Sequence, residues 1–343
     1  AAITATQVDA LSATQIAAIT PSTLAALSPD AVKSLDTAQV AAITATQAGA
    51  ITAGQVDSLS TTQLAAITPA ALAGLSAAAI GSLDVTQTAA ITATQVDALS
   101  ATQIAAITPS TLAALSPDAV KSLDTAQVAA ITATQAGAIT AGQVDSLSTT
   151  QLAAITPAAL AGLSAAAIGS LDVTQTAAIT ATQVDALTTT QLAAITPAAL
   201  AGLSAAAIGS LDAAQVSALT VAQLDALSPE QIALLSPTAL VGLSAEGLEA
   251  IKGDLSAAQT TALEEVVAAK AITTTEAAAI TAEGVNALTP TTVSALSPDA
   301  VASLTADAVG SLDAAQVAAI TTTQAAAITA TQVDALSATQ IAA

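Results

Sequence analysis

Carboxylates are the only side chains of this 343-residue sequence that could carry acid–base or metal chemistry. Asp and Glu number 25 against 4 lysines, giving a formal charge of −21, and His, Cys, Met, Phe, Tyr and Trp are all absent. Without His and Cys there is no histidine base, no thiol nucleophile and no zinc site of the usual donors. Glu264 and Glu265 are adjacent, so on a helix they point apart and do not make a catalytic carboxylate pair. Asp9, Asp57, Asp97, Asp145 and Asp185 recur at one position of a repeat. Stacked into columns, they are the candidates for weak calcium binding between coils, although no Asp-x-Asp-x-Asp-Gly loop is present. Asp30 and Asp118 precede Lys33 and Lys121 by three residues, a spacing for local ion pairs. Nothing in these spacings points to an enzyme, and no cofactor other than calcium is suggested.

The repeat that positions these carboxylates is eight residues long. From Ile3 an Ile or Leu recurs every eighth residue through Leu11, Ile19 and Leu27, filling 31 octads over residues 3–250. An irregular charged stretch, 251–271, advances the phase by four and then by nine, and nine more octads fill 272–343. With octad positions lettered a to h, a is Ile or Leu and b is Thr, Ser or Asp in all 40 octads. Position e is often Gln, f is mostly Val, Ile or Leu, and h is Ala, Ser or Gly, with Leu234 the one large exception.

This pattern is a helix start written over and over. Thr, Ser or Asp followed three residues later by Gln is a capping box, as in Thr4–Gln7 and Ser12–Gln15, and the flanking a and f residues form a hydrophobic staple. All 11 prolines occupy c, the first helical position, where a missing N–H costs nothing. Asp36, Asp84, Asp124, Asp172 and Asp212 are then caps, while Asp30, Asp118, Asp299 and Asp307 sit in first turns, where the helix dipole favours an anion. A continuous helix fails because eight residues overshoot two turns by about 80°, and every proline would break it. The prediction is an all-α solenoid of short capped helices, one per octad, with a β-solenoid as the alternative. One octad buries too little apolar surface to fold alone, so neighbouring octads must stack on a shared seam. Thr261 to Ile272 is predicted to form a longer helix with Leu263, Val266, Val267 and Ile272 on its apolar side.

Residues 1–88 recur identically as 89–176, eleven octads in all. If that spacing is structural, a coil takes 5.5 octads, or 44 residues, and equivalent Asp residues line up. Residues 326–343 are identical to 1–18, which suggests a 325-residue super-repeat in a longer chain.

The octads resemble those of very large Ala/Thr-rich repetitive proteins of bacterial surfaces and extracellular filaments. That resemblance implies a secreted, fibre-forming or stalk role. The composition agrees: few lysines and no aromatics offer proteases little, and no Cys or Met invites oxidation. The expected protein is structural, extracellular or at the cell surface, and self-associating; a monomeric adhesin stalk is the alternative. Four lysines cannot neutralise a phosphate track, so nucleic acid is not an expected partner. No stretch of about 18 unbroken apolar residues exists for membrane insertion, despite a mean hydropathy of +0.73. The Thr-x-Thr runs suggest ice-binding arrays, but a hydroxyl engaged in capping is not available for that use.

Overall fold

A computed structural model of the chain describes residues 3–342. Each octad builds one short helix, and no strand occurs among the described residues, so the helical reading holds and the β-solenoid does not. Residues 59–66 show how. Ser60 is extended (φ −72°, ψ 161°) and its hydroxyl accepts from the Gln63 N–H at 3.3 Å. The Gln63 Oε1 returns to the Ser60 N–H at 2.8 Å, the helix runs Thr61–Ala66, and Ile67 is extended again. Every proline stands at the start of its helix, as in Pro21–Ala25 and Pro298–Ser303. Chain reversal is made entirely at negative φ, with no left-handed residue among those described.

Within the repeat, positions a, e and f are buried while b, d and g face outward. The core is therefore Ile and Leu from a, branched residues from f, and the Gln side chain from e.

Two compact units divide the chain, Ala1–Ala207 and Ile208–Ala343. In each, a helix packs on the third helix after it: Ala45–Ala48 on Pro69–Gly74 in the first, Ala306–Gly310 on Ala330–Ala335 in the second. Small residues at h permit this approach. A Cβ on Gly74 would run into the Ala45 carbonyl, and Gly162 stands against Ala133 in the same way. These glycines provide space and not backbone freedom, since their φ is ordinary.

The coil closes sooner than the 88-residue duplication suggested. Helices three octads apart pack on one another, and side chains at e reach carbonyls 28 and 31 residues back, so a coil takes between three and four octads. The expected 44-residue coil is wrong, because contact between coils is set by the reach of the Gln and by the small h residues and not by the block length. Asp9, Asp57, Asp97, Asp145 and Asp185 step by 48 and 40 residues in turn, and no coil longer than one octad divides both, so the five do not form one column.

The irregular stretch lies inside the second unit. A seven-residue helix, Ala245–Ile251, is followed by the Ser256 cap and a 14-residue helix, Ala257–Lys270. Leu263, Val266 and Ala269 are buried along one row of this helix. Val267, expected on the apolar side, is 62 % exposed, because it lies about 100° round the helix from Val266 and clear of the row that packs.

Candidate functional site

The repeated site of this molecule is the contact between coils, and it is built on the Gln at e. Gln95 is 1 % exposed. Its Oε1 accepts from the Thr92 N–H at 2.8 Å and the Thr92 hydroxyl at 3.0 Å. Its Nε2 donates to the Leu64 carbonyl at 2.9 Å and the Ile67 carbonyl at 2.7 Å, 31 and 28 residues earlier. Both ends of the amide are thus satisfied, one by its own cap and the other by the coil before it. Gln183 repeats the arrangement on Leu152 and Ile155, and Gln316 does so on Val285 and Leu288. The Leu64 carbonyl also accepts from the Ile67 N–H at 3.1 Å, so the Gln adds a second donor there and takes up the Ile67 carbonyl beyond the helix end.

Sequence reasoning found the capping half of this role and missed the other half. The signal was present: Glu closes a capping box as well as Gln does, yet this strongly acidic chain places Glu at e only at Glu276. Glu276 is exposed and accepts from the Thr273 N–H at 2.8 Å, so it caps without needing an N–H₂.

At the joint the ladder changes by four. Gln259 Nε2 donates to Ile232 and Leu235, both at 2.8 Å but 27 and 24 residues back. The shortfall equals the four-residue advance from Ile251 to Leu255, so the coil here is shorter by that amount.

The carboxylates lie elsewhere. Asp9, Asp57, Asp97, Asp145 and Asp185 are exposed near the last residues of their helices, where the dipole disfavours an anion. Among the described residues no three acidic side chains converge. Asp36, Asp84, Asp124, Asp172 and Asp212 are caps as expected, each accepting a Gln N–H at 2.7 Å. Lys33 and Lys121 do not make the ion pairs expected with Asp30 and Asp118. Among the described residues the ion pair is Lys252 to Glu249, at 3.3 Å and largely exposed. Glu264 and Glu265 do point apart. Glu264 lines an apolar groove of about 600 Å³ with Leu248, Leu255, Leu263 and Val267. Glu265 instead accepts from the Thr289 and Thr292 hydroxyls at 3.2 and 3.4 Å.

Two carboxyls are held below the usual carboxylate range. The Thr273 N–H and hydroxyl do this to Glu276, and the Glu230 N–H with the Ser228 hydroxyl does it to Glu230. Both are fully exposed caps and first-turn residues, so the shifts belong to helix starts.

Two identical octads differ in one hydroxyl. The buried Thr176 donates to the Ala199 carbonyl at 2.6 Å, whereas the buried Thr88 hydroxyl has no partner. The residue 26 positions on explains it. Gly202 lets its helix approach Thr176 closely, and Ala114 occupies the corresponding place beside Thr88.

No known protein family matches the chain, and no curated protein matches it significantly. No helix among the described residues is long and apolar enough to cross a membrane. The fold and its repeated contact define a helical repeat protein of solenoid type.

Proposed function

We propose that this chain is a structural protein that builds an extracellular filament or fibre, its copies associating with one another through the same kind of contact that stacks its coils. The observation that supports this reading most directly is the Gln ladder. Each coil presents amide donors on one face and carbonyl acceptors with apolar f side chains on the other, so one coil face is complementary to the opposite face of any other. The outward positions b, d and g carry capping hydroxyls, small residues and Asp, which suit a solvated and protease-poor material. An extracellular setting fits a chain without Cys or Met and with only four lysines.

Negative-stain electron microscopy of the purified chain is the test. Filaments or bundles with axial or lateral order are expected. A uniform field of isolated particles at all concentrations would contradict the proposal and favour the monomeric stalk.

A further inference from the structure

The break in phase that shortens the coil also opens the groove beside it. From Ile251 to Leu255 the chain advances four residues, and it then runs the 14-residue helix Ala257–Lys270 past the points where octads would turn. Leu263, Val266 and Ala269 pack inward as one row. Thr260, Glu264, Val267 and the Ala271 cap, spaced by four, three and four residues, share another side of the helix, and all four are exposed. Together with the half-buried Leu248 and Leu255 they line the groove of about 600 Å³. That volume lies within the span of roughly 300–1,000 Å³ usual for small-molecule sites.

The lining selects the chemistry of an occupant. Its apolar part is aliphatic throughout, so it suits a flexible saturated chain and offers an aromatic ring no stacking partner. Its charged groups are two carboxylates, Glu249 and Glu264, and one ammonium, Lys252. Lys252 is engaged by Glu249 at 3.3 Å. The other lysine of the joint, Lys270, turns to the Val241 carbonyl at 3.5 Å. Glu264 makes no hydrogen bond or ion pair with any described residue. An anionic head would meet an ammonium already paired, on a net negative rim, in a chain of charge −21. A cationic head would meet Glu264. We propose that this groove binds a single-chain aliphatic cation of the long-chain alkylammonium class. Its chain lies along Leu248, Leu255, Leu263 and Val267, and its head pairs with the Glu264 carboxylate. The proposal is independent of the filament reading.

The test is calorimetric titration of the 343-residue chain with dodecylammonium, kept below the concentration at which it forms micelles. One site is expected, with methyl NMR shifts at Leu248, Leu263 and Val267 and none in distant octads. Dodecanoate carries a comparable chain with the opposite head and should bind about tenfold more weakly. Glu264→Gln should weaken dodecylammonium by about threefold and narrow the gap between the two heads. Val267→Gln should weaken both ligands by about tenfold. Glu264 and Val267 are exposed, so both variants should keep the far-UV spectrum of the parent, which checks that they fold. Dodecanoate binding as tightly as dodecylammonium would overturn the proposal. So would the absence of binding, or weak sites spread over the acidic surface that neither variant alters.

Discussion

A glutamine amide is the residue-scale device of this molecule, because it closes a helix start and joins two coils at once. Replacing Gln95 by Glu preserves the cap but leaves the Leu64 and Ile67 carbonyls facing a buried charge. The expected cost is at least about 3 kcal/mol. Hydrogen exchange should report it as lost protection around residues 64–67 and 92–97, with distant octads unchanged. The paired threonines make a cleaner contrast. Thr88→Val removes a buried hydroxyl that has no partner and should stabilise by about 1 kcal/mol, whereas Thr176→Val forfeits a made hydrogen bond and should destabilise by a similar amount. Denaturation of both variants checks the signs. Glu276 supplies a pH dependence. Its folded pKa lies below its unfolded one, so its stabilisation is complete above the usual Glu range and is lost as pH falls through the depressed folded value. Carboxyl NMR should show a midpoint below the ordinary Glu range, and Glu276→Gln should remove that acid-side loss of protection at residues 273–277. The caps were legible in the sequence because Thr4–Gln7 or Ser60–Gln63 is a purely local signal. The amide's second partner was not, since no local pattern says which carbonyl lies beneath a side chain.

At the scale of the element, the octad is a helix whose boundaries are set by chemistry and not by length. Helices of four to seven residues are too short to persist alone in water, so each depends on its cap and on its neighbours' packing. Changing one cap, Ser100→Ala, should cost about 1 kcal/mol locally. Changing Thr92, Ser100 and Thr108 together should strip hydrogen-exchange protection from the whole stretch as a block, because each octad's buried face belongs to the next coil. Independent, additive losses at the three sites would contradict that coupling. The 14-residue helix Ala257–Lys270 is the exception, and its existence was legible from the broken phase between Ile251 and Ile272. Its facing was only partly so: Leu263 and Val266 are inside, but Val267 is on the groove side, a choice made by which coil lies beneath.

For the whole molecule, the sequence spoke clearly about architecture and poorly about the coil. Repetition at eight residues demands stacking, yet nothing local in the 88-residue duplication says that contacts recur 24 to 31 residues apart. The Asp residues, equivalent in sequence, step by 48 and 40 residues in turn and so do not form one column. The charge of −21 sets chains to repel at long range. Assembly should therefore strengthen between about 0.01 and 0.15 M salt as the Debye length contracts from about 30 to 8 Å. Light scattering across that range checks it, and equal assembly at both salts would count against charge control. The central claim is that successive coils are held by amides reaching 28 and 31 residues back. The most direct measurement is the through-hydrogen-bond NMR coupling from the Gln95 Nε2 in a selectively labelled chain. Couplings to the carbonyl carbons of Leu64 and Ile67 are expected, together with slow exchange of the amide protons. Couplings to carbonyls about 44 residues back, or a freely exchanging amide with none, would contradict the account.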